Sequence, residues 1–328
     1  MLLWALHRLG LERLAARRVD ASPDAPGTGS YMIRPPLPLN AFSEARYSSV
    51  TTAAAAQKGI GMAPRFVSLT GLCLWIGAML GAVCALPYVH FLFPEALGES
   101  VQQSGLPAFA LVAISTGQSA LLLGLMSFSG LWAARKLGMG APVLDAWLAG
   151  DAAPYDLRRS ARIAAALGLA SGLLGLALDL LVFLPLDSNG LGRIVQTKQP
   201  SAWAGFLASF AGGISEEIEL RLFLLSFMAL GIRSVSDFLF PGRSSPLTPA
   251  VFWSANIIAA VIFGVGHLPA TAALVPLTPL LIVRAIVLNG VLGVVAGFLF
   301  WRRGIEMAMV CHFFADIVLH VTPPFFGY

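Results

Sequence analysis

Ile214-Ser215-Glu216-Glu217-Ile218-Glu219-Leu220-Arg221 lies inside an apolar run that extends from Ala202 to Ile232. The run exceeds the roughly 20 residues that a helix needs to cross a bilayer. Three carboxylates and a guanidinium therefore fall near the middle of a segment that otherwise belongs in lipid or in a packed bundle. One charge at bilayer depth costs at least ~2.5–3.5 kcal/mol on insertion scales. Four so close together need a compensating reason. The working expectation is that this helix carries half of a site and that other helices complete it.

The rest of the chain sets the same frame. Of its 328 residues 57% are hydrophobic and only 12% charged, and the mean hydropathy is +0.78. A soluble domain runs at about 25% charged. Apolar runs of spanning length recur, whereas the ~10-residue alternating segments of a membrane barrel are absent. The fold class is therefore all-α, a polytopic membrane helical bundle. Cys73, Cys84 and Cys311 all lie in apolar runs without CxxC spacing and read as small core residues. Net charge is +4, all of it in residues 1–65, which hold eight Lys/Arg and four Asp/Glu. Such a tail is expected on the cytoplasmic side. Its basic residues are too sparse, and too free of motif, for nucleic-acid binding.

Residues 1–64 read as a basic tail: a short amphipathic helix over residues 2–18, then a Pro/Gly/Ser/Ala-rich linker. Residues 65–200 supply the N-terminal membrane helices, with spans near 66–93, 107–134 and 163–184. Gly77 and Gly81 on the first, and Gly168, Gly172 and Gly175 on the third, mark close helix packing. A short helical piece is expected over 143–148. Residues 201–328 form the candidate catalytic core, with spans near 202–232, 250–267, 275–300 and 305–321. That makes seven spans, or eight if the stretch holding Pro269, Pro276 and Pro279 is a broken or re-entrant helix. Lys/Arg clusters flank alternate span ends, which places the N-terminus cytoplasmic and, for seven spans, the C-terminus outside. The expected location is a bacterial inner membrane.

Few strongly polar residues lie inside these spans: Asp179, Glu216, Glu217, Glu219, Arg221, Asn256, His267, Arg284, Asn289, His312 and Asp316. Three spacings among them carry chemistry. Glu217 and Arg221, four apart, share a helix face and can pair, while Glu216 projects about 100° away. Adjacent carboxylates in a low dielectric resist ionising together, the condition for a general acid or base. The plainer reading is a structural ion-pair cluster, although one pair would suffice for that. Phe263-x-x-x-His267 closes the fifth span, where a lone histidine serves equally well as an interfacial anchor. His312-x-x-x-Asp316 places an imidazole and a carboxylate on one face, so that Asp316 can fix the ring's tautomer or its charge. His320 follows four residues later, near the membrane surface.

These pieces, in this order on three late helices, resemble the CPBP family of type II CAAX prenyl endopeptidases and bacteriocin-processing or immunity proteins. Its pattern is EExxxR, then FxxxH, then HxxxN or HxxxD. The resemblance covers about residues 200–320. It implies an intramembrane peptidase of glutamic type acting on a membrane-associated protein or peptide without a cofactor. Glu216 and His267 would hold and activate a water, and His312 and Asp316 would stabilise the oxyanion. Glu217 and Arg221 would support them. Position 316 is more often Asn in the family; an ionised Asp cannot donate a hydrogen bond, so Asp316 is expected to hold His312 as an imidazolium donor. Two rivals stand beside this reading. A His₂Glu zinc peptidase is one, though no HExxH motif is present. The other is a non-enzymatic immunity or adaptor protein.

Overall fold

The computed structural model describes residues 64–187, 200–240 and 247–322. The candidate amphipathic helix over residues 2–18 and most of the tail lie outside them. The described residues belong to one compact unit. Every regular element among them is a helix, with no strand.

The elements are α1 (Pro64–Leu92), α2 (Ala96–Ser104), α3 (Ala108–Lys136), α4 (Pro142–Ala149) and α5 (Leu157–Leu178), the last continuing through a π-helical turn, Asp179–Phe183. A long helix, α6, begins at Ala202–Phe210, passes through two π-helical segments, Ala211–Glu216 and Ile218–Leu225, and ends with Ser226–Leu239. Then come α7 (Pro249–Gly266), α8 (Leu268–Leu274), α9 (Pro279–Arg303) and α10 (Ile305–Asp316), which runs on as a π-helical turn, Ile317–Val321.

Local chemistry sets several boundaries. Thr248 and Thr278 accept hydrogen bonds from the N–H groups of Val251 and Leu281, and Pro249 and Pro279 occupy the first helical turn behind them. Such a cap uses donors that have no partner inside the helix, and proline loses nothing there. Pro279 thus starts a helix instead of breaking one. The bend falls earlier, at His267, between α7 and α8, and extended backbone at Val275 separates α8 from α9. Asp156 caps α5 by accepting from Arg159 N–H, which begins the helix six residues ahead of the expected Ile163. Helix α2 has no counterpart in the sequence reading.

Among the described residues six helices are long and apolar enough to cross a membrane: Leu69–Leu92, Ala108–Lys136, Leu157–Leu186, Ala202–Leu239, Pro249–Leu274 and Pro279–Arg303. The sequence reading counted seven. The difference is Ile305–Val321, which is helical where expected but falls at the short end of the ~17–25-residue range for a span.

Small residues let this last helix and α6 approach their neighbours. A Cβ on Gly81 of α1 would stand 2.6 Å from Ser215 Oγ and 2.9 Å from the Phe210 carbonyl. Ser215 Oγ donates to the Ala78 carbonyl at 2.8 Å. A Cβ on Gly168 of α5 would fall 2.0 Å from the Cys311 carbonyl oxygen, and one on Gly172 would fall 2.8 Å from that of Ala315. Backbone packs on backbone at both places, as in small-residue helix pairs of membrane proteins. Helix α1 therefore fixes the Glu216 segment, and α5 fixes the helix bearing His312 and Asp316.

Candidate active site

Glu217, Arg221, His312 and Asp316 are all buried, at 0%, 2%, 2% and 6% exposure. They form one connected cluster. His312 Nδ1 lies 2.6 Å from Glu217 Oε1, and Arg221 Nη1 lies 2.7 Å from the same oxygen. A carboxylate only accepts, so the imidazole carries its proton on Nδ1 and donates it to Glu217. That leaves Nε2 of His312 facing the remaining carboxylates, 3.7 Å from Glu216 Oε2 and 3.6 Å from Asp316 Oδ1. These distances are too long for direct hydrogen bonds. They describe three polar atoms around one small space.

Asp316 was expected to hold the His312 ring, by its spacing on the same helix. It stands at Nε2, while Glu217, across two helices, bonds the other nitrogen. Helical spacing showed which groups can share a face but not which neighbour reaches the ring first.

Two features of α6 shape that space. The motif sits in π-helical turns, a rare geometry that recurs at functional sites. Gly212, one turn before Glu216, faces the cluster: a Cβ there would stand 2.1 Å from Asp316 Oδ2 and 3.0 Å from His312 Nε2. The missing side chain keeps the space open.

His267 joins through Phe263. The Phe263 ring meets the His267 ring at 4.8 Å and the His312 ring at 5.7 Å, edge to face in both cases. The Arg221 guanidinium lies over the same Phe263 ring at 5.0 Å, within cation–π range. The first residue of Phe263-x-x-x-His267 is thus the wall between the two imidazoles and the arginine. His267 Nδ1 is 2.9 Å from the Phe263 carbonyl oxygen, an acceptor, so this nitrogen carries a proton. Glu216 remains the accessible member, with 36% of its side chain exposed.

Asp179, Arg284, Asn256 and Asn289 make their contacts elsewhere. Asp179 and Arg284 form a two-pronged ion pair, at 2.5 and 2.6 Å, that ties α5 to α9. Asn256 donates to the Val294 carbonyl, and Asn289 to the Ala285 carbonyl one turn back on its own helix. His320, noted in the sequence without a role, and Tyr88, which was missed, lie beside Asp316: Tyr88 Oη is 3.1 Å from His320 Nδ1, and His320 Nε2 is 3.9 Å from Asp316 Oδ1. No group of three His, Cys, Asp or Glu side chains among the described residues is placed to hold a metal ion.

Residues 198–318 match the family model described as type II CAAX prenyl endopeptidase Rce1-like. No curated protein and no solved structure matches the chain. The match falls on the stretch that carries all six predicted site residues, and it is consistent with a CPBP-type protease. With six helices of spanning length among the described residues, the chain is a multi-pass membrane protein, and its residues 198–318 are similar to the Rce1-like endopeptidase domain.

Proposed function

We propose that this Rce1-like domain is an intramembrane endopeptidase of glutamic type, with Glu216 as its base. The observation that carries this reading is the convergence of Glu216 and Asp316 on the one nitrogen of His312 that Glu217 leaves free. Residues 201–328 form the catalytic core, and residues 65–200 brace it. The substrate is a membrane-associated or C-terminal protein segment, of which a prenylated CAAX end is the class that the family description names.

Amide hydrolysis needs a nucleophilic water, a base, and donors where charge develops. Glu216 takes one proton from the water, and His267 Nε2 accepts a hydrogen bond from it. The water oxygen attacks the scissile carbonyl carbon. His312, as an imidazolium with Nδ1–H on Glu217, presents Nε2–H to the oxyanion. Asp316 stands by as the counter-charge. Glu216 then returns its proton to the leaving nitrogen and the C–N bond breaks. Arg221 balances Glu217, so that the group orienting His312 is not itself an uncompensated buried charge. Breaking such a pair costs about 3–5 kcal/mol.

The deciding experiment compares the membrane proteomes of cells carrying the wild-type chain and Glu216→Gln. An uncut precursor is expected to accumulate in the variant while the protein stays inserted at normal abundance. An unchanged proteome, with biological function retained by Glu216→Gln, would instead support an immunity or adaptor role.

A further inference from the structure

We propose that His320, oriented by Tyr88, is the outer leg of a proton path that joins Asp316, and through it the His312–Glu216 pair, to water. The inference rests on the peptidase reading, and it involves residues that the family match does not cover. Tyr88 lies on α1, and His320 lies two residues past the end of the matched stretch.

The geometry runs in one line. His312 Nε2 is 3.6 Å from Asp316 Oδ1, the same oxygen is 3.9 Å from His320 Nε2, and His320 Nδ1 is 3.1 Å from Tyr88 Oη. Asp316 is 6% exposed, whereas 37% of the His320 side chain is accessible. The line therefore leads from the buried Asp316 carboxylate to a half-buried imidazole. The backbone of His320 is fixed as well, since a Cβ on Gly205 of α6 would stand 2.0 Å from its carbonyl oxygen. The Tyr88 and His320 rings also meet edge to face at 5.3 Å. The charged and titratable groups facing His320 are Asp316 and His312 on its own helix, Tyr88 on α1, Glu216 on α6 and His267 on α7.

The chemistry supplies the need. Hydrolysis adds one water across the C–N bond. One of its protons ends on the leaving nitrogen, through Glu216. The other is released when the new carboxylic acid ionises inside the site. On the His312–Asp316 side of the site, which is buried, that proton needs an exit. A carboxylate at position 316 can take it up and pass it to His320, where an amide could not. A proton from water later restores the amine product's charge outside.

The test uses the purified full-length chain in detergent and a quenched fluorogenic peptide ending in a prenylated CAAX sequence. His320→Ala is expected to lower kcat about 100-fold or more, within the usual range for a positioned proton-transfer group, with KM little changed. Added imidazole is expected to restore much of the loss by filling the space that the His320 ring leaves. Tyr88→Phe is expected to shift the pH profile of kcat and to reduce it less. A His320→Ala variant with wild-type kcat, or one that imidazole leaves inactive, overturns the proposal. Should the wild-type chain leave this peptide uncut, the catalytic reading fails on it, and ring-nitrogen NMR of labelled histidine decides the path separately. Glu216→Gln is then expected to displace the His320 titration midpoint, and an unmoved midpoint overturns the path.

Discussion

Gly212 illustrates how much of this site depends on a missing atom. His312 Nε2 and Asp316 Oδ2 approach the α6 backbone at the point where any other residue would put a carbon. Gly212→Ala must move the carboxylate, the imidazole or the helix. A displacement of ~1 Å costs on the order of 100-fold when reacting groups are misplaced. The expected outcome is a loss of that size in kcat with a protein that still inserts and purifies. Gly231→Ala is the control, on the same helix with open space around it. It is expected to keep full activity and to gain ~0.5–1 kcal/mol of stability from helix propensity. Parallel kcat and melting measurements decide; an active Gly212→Ala chain would show that the space beside His312 is not used.

At the scale of the element, the helices of the bundle were legible because apolar runs of that length have no other use. So were Gly81, Gly168 and Gly172, since close helix packing is the reason for such spacing in a membrane, whereas Gly77 and Gly175 meet only ordinary contacts. The π-helical turns were not legible. An extra residue in a turn leaves no mark on hydrophobic periodicity, and tertiary contacts select it. The Glu217–His312 hydrogen bond was hidden for a related reason, because sequence spacing fixes angles within one helix and not the register between two. The α5–α10 contact makes this testable. Gly168 and Gly172 press on the carbonyls of Cys311 and Ala315, one residue before His312 and Asp316 respectively. Gly168→Leu is expected to push α10 off α5, lowering the melting temperature and abolishing peptide cleavage together. Overpacking costs typically about 1–3 kcal/mol. A Gly168→Leu chain with normal melting and activity would remove α5 from the support of the site.

At the scale of the whole molecule, one end of the bundle is held by polar contacts of its own. Tyr155 Oη donates to the Arg303 carbonyl at 2.6 Å, and Ile305 N–H donates to the Gly140 carbonyl at 2.9 Å. Asp145 accepts from Thr70 Oγ1 at 2.6 Å and from Arg135 Nη2 at 2.7 Å. Burial, reinforced by the nearby Glu306 carboxylate and opposed by Arg303, pushes the Tyr155 phenol well above its usual range, so it stays a donor at any working pH. Glu306, in the first turn of α10, accepts from the N–H groups of Val143 and Leu144 at 2.9 and 2.8 Å and so caps α4 from another helix. Glu306→Ala leaves both donors without this acceptor. Unsatisfied buried donors cost about 1–3 kcal/mol each, so a lower melting temperature and faster amide exchange at Val143 and Leu144 are expected. Glu306 is six residues from His312, roughly 9 Å along the helix at 1.5 Å per residue. Its loss should therefore leave kcat near the wild-type value. A fall in kcat without a fall in melting temperature would mean that α4 and its cap reach the catalytic centre, and that the brace and the core are one functional unit.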